Sequence, residues 1–204
     1  MERYVASLAS ETPTPGGGSA AAFVASFAAA LVAMVARIVA ANPKYAEHHD
    51  LAHDLITKAD RLRERSLAAR LEDERAYGLV VAATALAKST ADEKAARTAA
   101  LQAAFAEAAA APLAAAESAK LIATLAARAL ALDNAHLIGD LGTAAEFAAA
   151  ALASAAINVR GNHTYMKDRA LVAEQSARLE RYERECAALV ANVRFEVSRS
   201  FARA

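Results

Sequence analysis

The chain has no tryptophan, one cysteine, four prolines and seven glycines in 204 residues, and its 23 basic side chains are matched by 23 acidic ones. Each shortage excludes something. A lone Cys186 forms no intramolecular disulfide, and no Cys/His cluster has zinc-finger spacing, so the chain reads as a protein of the reducing cytoplasm and Cys186 as a small apolar residue on a helix. A net charge of zero sets up no field to gather nucleic acid or an anionic membrane surface, so neither is expected as a partner. The opening residues, MERYVASLAS, lack a basic stretch followed by an apolar core, which argues against a secretory signal. Scarce prolines and glycines leave few places to interrupt a helix, and the low β-branched and aromatic content leaves no alternating strand. The expected fold class is all-α.

What the chain has is alanine. At this length a single domain over residues 1–204 is expected. Breaks at 11–18, 42–44 (NPK), 88–90 (KST), 132–134 (LDN) and 160–163 (RGNH) divide it into a multi-helix bundle of about five main helices. Residues 20–41 form a nearly continuous apolar run. Most of it is alanine and Arg37 lies inside it, so a buried helix accounts for it better than a membrane span. This run and 143–159 are apolar around most of their circumference and are placed at the centre of the bundle.

Local signals mark helix ends. Ser19 can cap a helix over 20–41, Pro43 stops that helix and starts the next, and Thr90 with Glu93 fits a capping box. Pro112 should kink or break its helix near Ala111. Leu51, Leu55, Ala59 and Leu62 make one apolar stripe, and Tyr182, Cys186, Leu189, Val193 and Val197 another. So many methyl-sized side chains cannot fill a thick core and favour close helix contacts, including those of a homodimer.

The irregular backbone is concentrated in SETPTPGGGSAAAF, residues 10–23. Gly16, Gly17 and Gly18 ahead of a helix expose backbone N–H groups, permit positive φ angles and let a ligand approach, and the helix dipole there favours negative charge. The Gly-Lys-Ser/Thr ending of a P-loop is missing, as is the strand that precedes a dinucleotide fingerprint. HHDLAH sets His49 and His53 four residues apart, as in a zincin, but Asp50 stands where the glutamate would be and no third ligand follows, so no metal is expected.

Polar residues also interrupt the apolar pattern in DNAHLIGDLGTAAEF (133–147) and NVRGNHTYMKD (158–168). Together PTPGGGSAAA, DNAHLIGDLGTAA and INVRGN, with KY at 44–45, EDERAY at 72–77 and APL at 111–113, resemble the cyclodeaminase/cyclohydrolase family of folate enzymes over roughly residues 5–170. The chain departs from the family pattern at His136, Gly139, Thr143 and Gly161. The resemblance implies an all-helical homodimer that acts on a one-carbon tetrahydrofolate without metal or other cofactor. Two reactions occur in such a family: hydrolysis of 5,10-methenyltetrahydrofolate to 10-formyltetrahydrofolate, and closure of 5-formiminotetrahydrofolate with loss of ammonia. The first is preferred. A helical interaction protein without a pocket is the non-enzymatic alternative.

Methenyltetrahydrofolate is a delocalised cation. Its hydrolysis needs a water at the bridging carbon, a proton acceptor, and a donor for the departing ring nitrogen. A buried carboxylate could offset the cation and, with its pKa tuned toward neutrality, deprotonate the water. Asp140, between Gly139 and Gly142 at the start of an apolar helix, is the first candidate; capping that helix is its other reading. Asp73, on the same helix side as Tyr77, is the second, against a solvated charged face. Lys44, a cation at a helix start, could donate a proton or hold the glutamate tail. The resemblance implies that Gly16, Gly17, Gly18, Ser19 and Tyr77 bind substrate. Asn134, Asn158 and Asn162 offer the donors and acceptors that a pterin edge needs, with turn duty the alternative for Asn134 and Asn162.

Overall fold

The computed structural model describes residues 1–203, and no strand occurs among them. A short α1 (Glu2–Leu8) precedes five long helices: α2 (Gly17–Ala40), α3 (His49–Thr84), α4 (Ala91–Ala129), α5 (Ile138–His163) and α6 (Arg169–Phe201). Short 3-10 segments at Pro43–His48 and Leu130–Leu132 complete the chain. The all-α bundle expected from composition is what forms.

The ends of the helices follow from local chemistry. Asn42 stands before Pro43 in an extended conformation and accepts the Lys44 N–H on its side chain, so α2 cannot run on and the next turn is capped. The capping box of α4 is complete: Thr90 Oγ1 accepts the Glu93 N–H, and Glu93 accepts the N–H groups of Ser89 and Thr90. Asp168 caps α6 through the Leu171 N–H.

Three details differ from expectation. The first long helix starts at Gly17 with Gly16 as its cap, and Ser19 lies wholly buried inside it. The break expected at 160–163 falls after His163 instead. Pro112 lies within an unbroken α4, and the reason is a substitution of donors. Proline removes the N–H that would meet the Ala108 carbonyl, and Asn162 of α5 donates its Nδ2 to that carbonyl at 2.7 Å.

α2, α4 and α5 form the centre. Their buried positions are mostly alanine and valine, with Leu113, Ile122, Leu141 and Leu152 filling the wider gaps. Small side chains let these helices approach closely. The stripes on α3 (Leu55, Ala59, Leu62) and α6 (Tyr182, Cys186, Val193) close the bundle from outside. Three helical stretches, Gly17–Ala40, Ala91–Leu132 and Ile138–His163, are long and apolar enough to cross a membrane by length and composition. In the most apolar stretch of α2, 56% of the residues are buried inside the bundle.

Gly17 lies beside Asn158, so α2 and α5 run antiparallel, the start of one against the end of the other. At 1.5 Å per residue α2 is about 36 Å long. The bundle therefore has a glycine end and a far end, and a residue near one is about 30 Å from a residue near the other.

Candidate active site

At the glycine end a cleft of about 450 Å³ opens between residues 13–18, the last third of α3, α4, and the end of α5. Of the residues singled out in the sequence, Gly16, Gly17, Gly18, Asp73, Tyr77, Asn158 and Asn162 line it. That volume lies within the usual range for small-molecule sites.

Asp73 is the centre of the arrangement. Its carboxylate lies against Gly18 so closely that a β-carbon on that residue would stand 2.5 Å from Asp73 Cγ and 2.8 Å from Oδ2. None of the described glycines has a positive φ, so the expectation of left-handed backbone in this loop is corrected. What Gly18 provides is room for a carboxylate at the start of α2. The helix N-terminus that suggested an anion site thus receives one from within the chain. The Ser19 N–H favours the charged form of Asp73, as a helix N-terminus does for any anion.

The electrostatics around Asp73 nonetheless oppose its charge. Burial pushes its carboxyl above the ordinary carboxylate value, the nearby Glu74 pushes the same way, and the Ser19 N–H only partly offsets them. Among the described residues no cation pairs with it. Glu74, next along the helix, has partners: it accepts from Arg70 at 3.0 Å and from the Ser19 hydroxyl at 3.1 Å. Ser19 Oγ also bonds the Tyr4 hydroxyl at 2.9 Å, and Arg70 lies over the Tyr4 and Phe23 rings. Ser19 therefore does not line the cleft but fixes α1 and α3 to the first turn of α2.

Asn158 and Asn162 are one turn apart near the end of α5. Asn158 Nδ2 donates to the Ser154 carbonyl, and Asn162 Nδ2 to the carbonyls of Ala108 and Asn158. Their amide protons thus serve the helices, and among the described residues no donor meets either Oδ1, which leaves acceptors for a ligand N–H.

Asp140, Lys44 and Asn134 are elsewhere. Eighteen residues of helix put Asp140 about 27 Å from Asn158, so within one chain the first candidate base does not reach the glycine-end cleft. Asp140 does not cap α5 either, because the helix starts at Ile138 and Leu137 holds the cap position. Lys44 is exposed, with its Nζ 5.5 Å from the centre of the Tyr45 ring. Asn134 takes the turn role, its Oδ1 accepting the His136 N–H at 3.1 Å. It borders a second cleft of about 530 Å³ at the far end, together with Asp133, His136, Glu196 and Arg199. Asp133 there is the non-glycine residue with a positive φ, 48°. Gly139 and Gly142 allow α6 to lie across this segment: a β-carbon on Gly142 would stand 3.2 Å from Val197, and one on Gly139 3.7 Å from the Phe201 ring.

His49 bonds the Asn42 carbonyl and meets His53 edge-on at 6.5 Å between ring centres. Among the described residues no three His, Cys, Asp or Glu side chains group as metal ligands. Burial pushes the Cys186 thiol up to about 11, so it is not a nucleophile at neutral pH.

The cleft has walls that sequence reasoning missed: Val80, Phe105, Ala108 and Tyr165. Phe105 is marked in the sequence only as an aromatic side chain in an alanine-rich context and Tyr165 only as part of the polar segment 158–168, and sixty residues separate them.

The family model described as formiminotransferase-cyclodeaminase matches residues 1–181. A methenyltetrahydrofolate cyclohydrolase of Methylorubrum extorquens is 36% identical over 189 residues, which cover 93% of this chain and 91% of that protein. Among solved structures, a formiminotetrahydrofolate cyclodeaminase of Thermotoga maritima has the same fold, with a TM-score of 0.87 at 23% identity over 97% of this chain and 95% of that one.

Proposed function

We propose that this chain, which belongs to the formiminotransferase-cyclodeaminase family, hydrolyses 5,10-methenyltetrahydrofolate to 10-formyltetrahydrofolate, with Asp73 as the general base. The observation that carries the reading is a half-buried carboxylate, raised in pKa and paired with no cation, in a cleft of ligand size. A cationic amidinium supplies the missing countercharge. The 36% identity to a methenyltetrahydrofolate cyclohydrolase supports this substrate.

In the proposed reaction the Asp73 carboxylate takes a proton from water as its oxygen bonds to the bridging carbon. The neutral tetrahedral adduct then breaks its bond to N5: N5 takes up the proton held by Asp73, the adduct's hydroxyl loses its own proton to solvent water as it becomes the carbonyl, and the formyl group is left on N10 with one proton released overall. A base whose pKa lies above the ordinary carboxylate value is better matched to this transfer near neutrality. The free Oδ1 atoms of Asn158 and Asn162 accept from the pterin, and no metal or further cofactor takes part in the scheme.

The place of Asp140 and Lys44 follows from a homodimer. Phe27, Met34 and Ile38 lie exposed along α2, and Phe147 and Ile157 along α5, the latter 71% exposed. Burying such side chains against a second copy is favourable at roughly 25 cal/mol per Å². A two-fold axis across the middle of α2 exchanges its ends and sets the far end of one copy, with Lys44, Asn134 and Asp140, beside the glycine end of the other. Mixing Asp73→Asn with Asp140→Asn homodimers and allowing exchange should then restore up to about a quarter of wild-type turnover, because half the dimers are mixed and each has one intact site. No recovery on verified exchange would contradict a site shared between the two copies, and an Asp140→Asn homodimer with wild-type turnover would place Asp140 outside the site.

Closure of 5-formiminotetrahydrofolate is the second reading, favoured by the family description. Turnover of both folates by one preparation decides between them: preference for the methenyl compound supports hydrolysis, and preference for the formimino compound refutes it.

A further inference from the structure

The chain spends its aromatic residues sparingly, with six phenylalanines, five tyrosines and no tryptophan. Tyr77, Phe105 and Tyr165 nevertheless border the same cleft. Tyr165 belongs to the short connection between α5 and α6, where an exposed side chain would ordinarily be free to swing. It is held instead. Its ring lies nearly parallel to Phe105, 4.9 Å between centroids and 15° between planes. The backbone on either side is fastened by one residue of α4: Gln102 donates Nε2 to the Tyr165 carbonyl at 3.0 Å and accepts the Lys167 N–H at 2.6 Å. Met166, between those two bonds, is anchored in the bundle at 2% exposure.

Three anchors on a five-residue connection produce a ring that is rigid yet 63% exposed. Phe105 covers one face of Tyr165, so the exposure is that of the other face and the edges. A preordered aromatic face loses little conformational entropy when a ligand covers it. Flat heterocycles stack on such faces whatever their hydrogen-bond pattern. Asp73 and the glycine loop line the same cleft, so a ring system lying on Tyr165 shares that cleft with the carboxylate.

We propose that Tyr165, backed by Phe105 and locked by Gln102, is the stacking platform for the flat ring system of the substrate. The assignment rests on the folate reading of this cleft. It predicts that the ring matters and the hydroxyl does not.

The test uses the full-length protein with Tyr165→Ala and Tyr165→Phe, steady-state turnover of 5,10-methenyltetrahydrofolate, and calorimetric binding of tetrahydrofolate, which carries the same pterin but lacks the bridging carbon and so is not hydrolysed. Tyr165→Ala should raise KM and the tetrahydrofolate Kd by about ten- to a hundredfold, with kcat changed far less. Tyr165→Phe should stay close to wild type in all three. Thermal midpoints of both variants should lie near the wild-type value, since the side chain is mostly outside the core. An unchanged Kd in Tyr165→Ala overturns the platform, and so does a Tyr165→Phe variant as weak as Tyr165→Ala, which would assign the effect to the hydroxyl. If the wild type binds tetrahydrofolate with this pattern yet does not turn over the methenyl compound, the platform stands and the reaction assignment falls. If the wild type does not bind tetrahydrofolate, both fall.

Discussion

Replacing Gly18 by alanine adds one methyl group, and the structure shows where it would go. The new carbon would stand 2.5 Å from Asp73 Cγ and 2.8 Å from Oδ2, with Oδ1 closer still, so the carboxylate must leave its place. The backbone at Gly18 is helical and accepts alanine without strain, which alone favours the fold by about 0.5–1 kcal/mol. Against this stands the loss of the favourable field of the helix N-terminus at Ser19 on the Asp73 charge, on the order of 0.3–1 kcal/mol, partly regained as the carboxylate reaches water. The two effects nearly cancel, so Gly18→Ala should melt within a few degrees of wild type. Catalysis has no such compensation. Displacing a general base by about 1 Å costs roughly a hundredfold in rate, or about 2.7 kcal/mol of barrier. The assay is methenyltetrahydrofolate hydrolysis beside a thermal melt followed by circular dichroism. A folded Gly18→Ala protein with wild-type turnover would refute the reasoning.

Two further outcomes follow from single contacts. Asn162→Leu removes the donor that satisfies the Ala108 carbonyl beneath Pro112 and should cost about 1–3 kcal/mol in denaturant unfolding. In a Pro112→Ala background, where a backbone N–H returns, the same change should cost less, and equal losses in both backgrounds would contradict the substitution of donors. Cys186, with its thiol raised to about 11 by burial, should react with iodoacetamide at pH 8 only as fast as the protein opens, so labelling faster than unfolding would show the site is accessible.

What was legible in the sequence was local. The capping box at Thr90 and Glu93 involves neighbours in the chain, and the stripes of α3 and α6 need only a helical period, so composition and spacing sufficed for the fold class. The unbroken helix at Pro112 was not legible, because its compensating donor lies fifty residues away on another helix. The glycine segment stands out in the sequence, but positive φ is not what it provides: Gly18 allows the close approach of Asp73. Asp140 ranked above Asp73 because two glycines flank it. Its position depends on α5 running antiparallel to α2, a tertiary fact that sends Asn158 to the glycine loop and Asp140 to the far end. Tyr165 and Phe105 carry no motif and become a pair only through packing.

The central claim is that Asp73 acts as the base in the glycine-end cleft, and the pH dependence of Asp73→Asn tests it most directly. In the wild type, kcat/KM should fall as pH drops through the raised pKa of Asp73, at a higher pH than an ordinary carboxylate would give. The sign for stability is the opposite of that for activity. Between the ordinary and the raised pKa the native state holds more protons than the unfolded chain, so ionising Asp73 costs stability as pH rises through that window. Asp73→Asn should therefore be at least as stable as wild type at neutral pH while turnover drops about a hundredfold or more and the acid limb disappears. A stable Asp73→Asn enzyme with wild-type turnover and an unchanged pH profile would contradict the account.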